Sequence, residues 1–504
     1  MAIRLHKTAE LHTLEFSARA LGWLDSVLSS RRFVLLTYIW FLTQASFFAL
    51  FILLPMHSAV APDEIVHFRF IRYYAEHSWD PFLDAGLAEA GVARDVSRTE
   101  SYLYHYLLSW PYRLVDVFGS NTATILTLRG INVAFALANL EVLRRTARRT
   151  GMPAAHANMA VFVVSNLMMY VALAGAISYD NLANLCASLV IYSFIRLYDG
   201  PATRWIWIFG LLTLLAPLIK FTLVPLVATI WLVGFLHLTR LRKSGSSQWR
   251  GALRRIWVRR PKGRPLRMIL IGFPLTLGAG LISERYVWNL LRYGSPMPNC
   301  EALYGFDECY AHNPIFRRGV DFAANTPEIL LSPYAFVGRW LHSDHVATVG
   351  YFGHTTVHTY DLIESVTFGL VLILAGSLIR HATVTVGDRH DLLPMLATVG
   401  GLYIALVFYR NYSGYTTTGI YGVALQGRYL FPVIFPVTAL GIHRIGSAAR
   451  NFYPLFFGPL ILVFALSGSI PYLVRAPSEV YRPELQSTAA QLREILLTIT
   501  SDLM

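Results

Sequence analysis

Residues 33–55, FVLLTYIWFLTQASFFALFILLP, decide the fold, because this apolar run contains no charged side chain. Wound as a helix, it is long enough to cross a hydrocarbon core of about 30 Å. Further apolar runs follow at 123–143, 156–176, 182–198, 205–219, 222–238, 268–290, 362–379, 392–409, 429–445 and 453–473. We therefore predict an all-α polytopic membrane protein with about eleven transmembrane helices.

The composition agrees with a membrane protein, since 55% of the 504 residues are hydrophobic and 14% are charged. A net charge of +13 would suggest nucleic-acid binding in a soluble protein. Here the basic residues cluster at the ends of apolar runs, as membrane orientation requires. We therefore interpret the charge as topological, and we expect membrane lipids and no nucleic acid as partners.

The basic clusters indicate which side of the membrane each loop faces. They alternate with the apolar runs and all fall on one side, which should be cytoplasmic: Arg31 and Arg32, Arg144 to Arg149, Arg240 to Arg267, Arg380 with Arg389, and Arg444 with Arg450. This alternation requires Tyr102 to Phe118 not to cross the membrane. We predict there an interfacial helix in the first outer loop, a place that suits its tyrosines and Trp110.

The same reasoning divides the chain into three parts. They are a cytoplasmic amino-terminal segment (1–32), a transmembrane domain (33–473) and an extracytoplasmic carboxyl-terminal tail (474–504). The transmembrane domain includes outer loops at 56–122 and 291–361 and a basic cytoplasmic loop at 239–267. We expect the cytoplasmic loop to anchor the topology and to touch anionic lipid.

Two of the three cysteines, Cys300 and Cys309, lie close together on the predicted outer side. That compartment is usually oxidising, so we predict a disulfide, the alternative being two free thiols. Cys186 lies in an apolar run and is expected in the core.

The first outer loop brings polar residues close to the end of the first span. Asp63 and Glu64 follow a proline, which is how an ordinary helix begins, with acids that complement its dipole. Continued as a helix, the segment places Asp63 and His67 on one face, and likewise Arg69 and Arg72. A carboxylate, an imidazole and two cations are then expected around one spot, as a binding or catalytic site.

Two further polar residues lie at predicted outer helix ends. Asp180 lies in a tight turn between two spans, where it either caps the next helix or belongs to a site. Lys220 stands alone between two apolar runs, where it either reaches the headgroups or contributes to the same site.

The segment Gln426-Gly427-Arg428-Tyr429 opens the tenth predicted span. An arginine at a non-cytoplasmic helix end opposes the usual charge bias, so anion binding is the favoured interpretation of Arg428. The planar guanidinium suits phosphate in particular. Arg129 is a weaker candidate of the same kind.

These motifs together resemble the GT-C glycosyltransferases. The resemblance is carried, in order, by Pro62-Asp63-Glu64 with His67, Asp180-Asn181, Ile219-Lys220-Phe221 and Gln426-Gly427-Arg428-Tyr429-Leu430-Phe431-Pro432, and it covers roughly residues 33 to 445. The branches it is most similar to are the protein O-mannosyltransferase and aminoarabinose transferase group and a bacterial membrane family of unassigned function.

The resemblance implies a helical bundle with interfacial helices in the first outer loop. It implies transfer of a sugar from a polyprenyl-phosphate donor to an extracytoplasmic acceptor, in a bacterial cytoplasmic membrane. Asp63 or Glu64 is then the catalytic carboxylate, and Lys220 and Arg428 contact the lipid phosphate. The other residues expected to bind substrate are His67, Arg69, Arg72, Asp180, Gln426 and Tyr429.

The sequence also departs from that family and leaves alternatives open. It lacks the large carboxyl-terminal soluble domain of some members, and Ser101 stands before Tyr102 where a Pro-Pro pair is expected. Asp63, Glu64 and His67 offer ligands for Mg²⁺ or Ca²⁺, but the full ligand set is not visible. A transporter or flippase for a lipid-linked anion remains the alternative function, although transporters usually place charges near the bilayer midplane.

Overall fold

A computed structural model describes residues 21–55, 61, 63–77, 101–199, 203–243, 265–325, 330–350, 357, 361–383, 392–419, 427–449 and 453–501. Within these residues the chain is helical almost throughout. The β pairing in this part of the chain is one isolated bridge between Ile52 and Tyr481. The predicted all-α class is therefore confirmed for the described residues.

The first half of the chain contains both long and shorter helices. They are α1 (Arg31–Phe51), α2 (Glu64–His77), α3 (Leu103–Asp116), α4 (Asn121–Arg149), α5 (Ala154–Ser165), α6 (Met168–Ala174), α7 (Tyr179–Asp199), α8 (Thr203–Ile219) and α9 (Leu223–Lys243). Each long helix coincides with a predicted span, because backbone polar groups in an apolar environment must find their partners within the segment, which favours helix.

The second half contains several shorter helices between its long ones. They are α10 (Pro265–Ile282), α11 (Trp288–Tyr293), α12 (Cys300–Tyr304), α13 (Phe306–His312), α14 (Pro314–Ala324), α15 (Pro333–Val349), α16 (Asp361–Thr383), α17 (Leu392–Thr418), α18 (Phe431–Ala449), α19 (Tyr453–Ala465), α20 (Ser469–Arg475) and α21 (Gln486–Ser501). A π-helical turn, Ser283–Val287, joins α10 to α11, and a 3₁₀ turn, Gly427–Leu430, leads into α18.

Fewer described helices are long enough to cross a membrane than the eleven spans predicted from the sequence. Among the described residues, α1, α4 and Leu455–Arg475 are long and apolar enough to cross a membrane, and two bent helix pairs raise the total to five. Shorter apolar helices occur at Arg204–Ile219 and Leu223–Leu236. A short helix spans only with little tilt or a thinned bilayer, so the count of eleven stays a prediction.

A sharp bend of 70° separates α5 from α6. The side chain of Asn166, at the bend, accepts hydrogen bonds from Trp40 Nε1 at 2.9 Å and Gln44 Nε2 at 3.0 Å. It donates in turn to the Phe162 carbonyl at 2.7 Å. Because polar groups at a helix break need partners inside the protein, these contacts with α1 stabilise the bend.

The two helices of the predicted first outer loop, α2 and α3, pack against each other. Arg113 of α3 donates to the carbonyls of Tyr74 at 2.6 Å and Ala75 at 2.9 Å, near the carboxyl end of α2, where a cation is favourable. The opposite face of this segment exposes large apolar side chains, namely Leu107, Trp110, Leu114, Val117 and Phe118. Such an amphipathic helix suits the membrane interface, as predicted for residues 102–118.

A disulfide and a backbone hydrogen bond link segments of the predicted outer side. A disulfide joins Cys300 to Cys309, with Cα atoms 5.7 Å apart, and so ties α12 to α13. The tail after α20 returns to the end of α1, where Leu53 N–H donates to the Val480 carbonyl at 2.9 Å. Cys186 is buried, as expected for a core residue.

We predict that Gly175→Ala destabilises the fold, because α6 lies directly against α1 at this position. A Cβ on Gly175 would approach Phe48 Cβ to 2.5 Å and the Ala49 nitrogen to 2.7 Å, and both belong to rigid parts of α1. Overpacking of this kind costs roughly 1–3 kcal/mol. Thermal unfolding of the detergent-solubilised protein measures the effect.

Gly130→Ala is the matched control for this prediction. A Cβ on Gly130 meets open space within the α4 helix, so the exchange removes a helix-weakening glycine without a clash. An unfolding temperature lowered equally in both variants would show that α6 does not pack on α1 as described.

Candidate active site

Four of the predicted site residues meet in one ion-pair cluster, although they are far apart in the chain. Asp63 directly precedes α2, and Asp180 lies in the first turn of α7. Lys220 follows α8, and Arg428 lies in the 3₁₀ turn before α18. Each of the four is therefore at a helix end, and the bundle brings these ends together.

The ion pairs of the cluster alternate between acids and cations. Arg428 Nη2 donates to Asp63 Oδ2 at 2.7 Å, and its Nη1 lies 3.5 Å from Asp180 Oδ2. Lys220 Nζ donates to the other oxygen of Asp180. The side chains of Lys220 and Arg428 are 3% exposed and that of Asp63 is 29% exposed. Asp63 is thus the accessible member of an electrically balanced, otherwise buried group.

Arg428 has hydrogen-bonding capacity left over. Its Nε and Nη1 are buried and make no hydrogen bond among the described residues, although Nη1 forms the long ion pair with Asp180. A guanidinium offers five N–H donors, and buried donors without acceptors are costly. This side of Arg428 is therefore suited to an anionic ligand with several oxygens.

The backbone at Asp63 is unusual. Its φ is +56°, in the left-handed region, and among the described residues it is the one non-glycine residue with positive φ. Aspartate tolerates this region better than most residues, but the conformation still costs of order 1 kcal/mol. His67 N–H bonds to the Asp63 carbonyl at 3.0 Å, so the strained residue is also the start of α2.

The turn before α7 fixes Asp180. Its N–H donates to Ser178 Oγ at 3.2 Å, and Asn181 donates to the carbonyl of Leu173 at 2.8 Å. An acid in the first turn of a helix is also stabilised by the helix dipole. The capping role and the ion-pair role of Asp180 thus coexist.

Aromatic rings surround Lys220 and line a cavity beside it. Lys220 Nζ lies 4.8 Å from the Tyr179 ring centre and 4.7 Å from that of Tyr429. The cavity has a volume of about 220 Å³, and Ser101 and Arg410 also line it. Aromatic faces stabilise a desolvated cation, and these two rings hold the Lys220 side chain at the cavity.

Arg410 is a residue that the sequence reasoning did not assign to the site. It lies in α17, its side chain is exposed, and its guanidinium carbon is 5.6 Å from the Phe221 ring centre. A cation at the predicted outer part of a helix was the available signal, as it was for Arg428. Ser101, where the sequence departs from the GT-C pattern, accepts a hydrogen bond from Phe221 N–H at 2.9 Å.

Glu64 is separated from this cluster by its own partner. Arg129 holds both carboxylate oxygens, each at 2.8 Å, and Ile177 N–H donates to Oε1 at 2.9 Å. The remaining donors of Arg129 bind carbonyls at the end of α1, those of Ala49, Ile52 and Leu53. Glu64 and Arg129 are both buried, and this geometry points to a structural ion pair.

His67 contacts the ion-pair cluster indirectly, through Tyr179. It is buried, hydrogen bonds to His105 at 2.9 Å, and its ring centre lies 4.5 Å from that of Tyr179, one of the rings beside Lys220. Burial, together with the neighbouring His67, lowers the pKa of His105 well below its usual range. The rings of both histidines lie near that of Tyr179.

Arg69 and Arg72 do not join the other site residues, contrary to the expectation of one shared spot. Both are exposed, and Arg72 pairs with Glu76 at 3.3 Å. The reason is helical periodicity, because residues two and five positions after His67 point away from its face. Tyr429 lies at the cluster, whereas Gln426 falls outside the described residues.

The described residues do not fit a metal ion. Among them, no three His, Cys, Asp or Glu side chains come together. Glu64, one of the expected ligands, has both oxygens bound to Arg129. We therefore include neither Mg²⁺ nor Ca²⁺ in the proposed reaction.

Comparisons with known proteins leave the family of this chain open. No protein-family model and no curated protein matches it. Two solved structures that match are of ArnT from Cupriavidus metallidurans. The form bound to undecaprenyl phosphate is 14% identical over 83% of this chain and 78% of that chain, with a TM-score of 0.33. The apo form is 14% identical over 86% and 79%, with a TM-score of 0.27. At such scores we draw no conclusion from the likeness.

We predict that Glu64→Gln and Asp63→Asn differ strongly in stability. Glu64→Gln leaves the buried charge of Arg129 unpaired, which costs roughly 3–5 kcal/mol. Asp63→Asn also weakens the pairing of a buried arginine, but Asp63 is partly exposed, Asn accepts positive φ and Arg428 keeps Asp180 as a partner, so this exchange should cost clearly less. Denaturant unfolding in detergent micelles measures both, and equal losses would contradict a structural role for Glu64.

Proposed function

We propose that this chain is a GT-C-type membrane glycosyltransferase. It transfers a sugar from a polyprenyl-phosphate donor to an acceptor on the extracytoplasmic side. The observation that supports this most is the pairing of an accessible carboxylate, Asp63, with a buried arginine, Arg428, that has donors to spare. We rest the proposal on this geometry and on the sequence motifs.

The cationic side of the cluster suits the donor phosphate. Lys220, Arg410 and Tyr429 line the cavity, and the guanidinium carbon of Arg428 lies 5.5 Å from the Tyr429 ring centre. Negative charge on the phosphate grows as the glycosidic bond breaks. Fixed cations then stabilise the transition state more than the ground state.

The acidic side of the cluster suits a general base. Asp63 accepts the proton of an acceptor hydroxyl while that oxygen bonds to the anomeric carbon, and the polyprenyl phosphate leaves with the electrons of the broken bond. Glu64 is unsuited to this role because Arg129 holds both its oxygens. A single base without a covalent intermediate implies inversion at the anomeric carbon.

One observation favours the alternative function, a transporter or flippase for a lipid-linked anion. Broken helices such as the α5–α6 pair are frequent at transport sites. Here the polar side chain at the break, Asn166, is bound by Trp40 and Gln44 of the same bundle. The charged residues lie instead at helix ends, which favours the transferase.

We predict that Asp63→Asn abolishes sugar transfer and leaves the protein folded. Loss of a general base lowers the rate roughly 10²- to 10⁴-fold. Mass spectrometry of envelope glycolipids and glycoproteins, with and without the gene, first identifies the sugar that depends on this protein. The deletion strain is then complemented with wild type or variant.

Asp116→Asn is the control, because Asp116 is an exposed acid at the end of α3 in the same outer loop. It should restore the sugar fully. Restoration by Asp63→Asn as well would remove the base assignment. Movement of a labelled polyprenyl phosphate across proteoliposomes by wild type and Asp63→Asn alike would favour the flippase.

We further predict that the charge-balanced double variant Lys220→Met with Asp180→Asn weakens binding of undecaprenyl phosphate. Removing both partners avoids an unpaired buried charge, so the fold should survive. Arg410→Ala should also weaken binding, and the loss should shrink at high salt because Arg410 is exposed. Equilibrium binding to the purified protein, with Arg69→Ala as control, measures both, and unchanged affinity would remove the phosphate role.

A further inference from the structure

A second cavity lies beneath α15, apart from the ion-pair cluster. Its volume is about 120 Å³. The walls come from α15, α16, α18, α19 and the bend between α5 and α6, and they are mostly apolar, with Leu341, Ile434, Ile442 and Phe464 among them. The helices that form these walls are themselves rich in apolar residues.

Two buried polar groups of α15 line this cavity, and neither has a described partner. Both carboxylate oxygens of Asp344 and the indole N–H of Trp340 lack a hydrogen bond within the described part of the chain. Each residue is 3% exposed. They are four positions apart on one helix and therefore neighbours on the same face. Buried groups of this kind normally have partners, so the cavity is built for an occupant.

The other polar side chains of the wall are already engaged. The Thr348 hydroxyl donates to the Asp344 carbonyl at 2.7 Å, and that of Thr438 donates to the Ile434 carbonyl at 2.7 Å. His345 hydrogen bonds to Thr367 at 3.2 Å. The requirements left over are therefore an acceptor for Trp340 and at least one donor for the two carboxyl oxygens of Asp344.

The chemistry of these two groups selects among possible ligands. A hydroxyl both donates and accepts, so it satisfies Asp344 and Trp340 together. An ammonium cannot accept from the indole, and an ionised carboxylate or phosphate cannot donate to Asp344. Burial raises the pKa of Asp344 to about 7, so its carboxyl holds a proton near neutral pH more readily than an exposed aspartate does. The apolar remainder of the cavity suits a hydrocarbon chain.

We propose that this cavity binds a lipid whose hydrocarbon chain ends in a hydroxyl group, held between Asp344 and Trp340. The site borders the 3₁₀ turn of Arg428, because Leu430 lines it and Gly427 lies against Thr348. It is nevertheless a separate site, and its occupancy does not depend on the proposed sugar transfer.

The test is photolabelling of the full-length protein in detergent micelles with a medium-chain alkanol that carries a diazirine. We expect labelled peptides from α15 and from the first half of α18. Decanol should compete better than decane, decylamine or decanoate, by roughly 3- to 10-fold for one net hydrogen bond. Equal competition by decane, or labelling elsewhere only, would overturn the proposal and leave water as the partner of both groups.

Variants separate the hydroxyl contacts from general hydrophobic binding. Asp344→Leu should abolish the preference for decanol over decane, whereas Asp344→Asn should keep it because the amide oxygen accepts. Asp361→Leu is the control, since Asp361 is an exposed acid at the start of α16. Thr438→Phe should fill the cavity and remove the label altogether. A preference that survives in Asp344→Leu would refute the assignment even if Thr438→Phe failed to fold.

Discussion

The buried ion pair between Glu64 and Arg129 is the interaction on which the rest of the site depends. Arg129 uses all five of its N–H donors, two on Glu64 and three on carbonyls at the end of α1. One side chain of α4 therefore fixes where α1 ends and where α2 begins. An arginine inside an apolar helix is costly, and here full hydrogen bonding offsets that cost.

This constraint gives two adjacent carboxylates different roles. Because Glu64 is held inward, the chain must turn sharply at the preceding residue, and Asp63 adopts a φ of +56°. The turn directs Asp63 toward Arg428 and toward solvent, with 29% of its side chain exposed. The backbone strain at Asp63 is thus sustained by the Glu64 anchor, which is how strained residues persist at functional sites.

The sequence was sufficient to predict the helices and the polar residues at their outer ends, because charges stand out in an apolar chain. Asp63, Asp180, Lys220 and Arg428 were found in this way. The sequence did not predict that Glu64 is buried and Asp63 partly exposed. This difference depends on Arg129, a residue distant in the chain that tertiary packing brings close to Glu64. The same holds for Arg410, and for the exposed faces of Arg69 and Arg72.

The electrical balance of the cluster has a consequence for the proposed reaction. Without substrate, Asp63 and Asp180 neutralise Arg428 and Lys220. A phosphate bound to Nε and Nη1 of Arg428 shares the charge of the guanidinium with Asp63 on Nη2, so the donor itself weakens the ion pair that holds the carboxylate. Asp63 then becomes available to accept a proton when the leaving group is in place. Binding of the donor and readiness of the base are linked through one arginine.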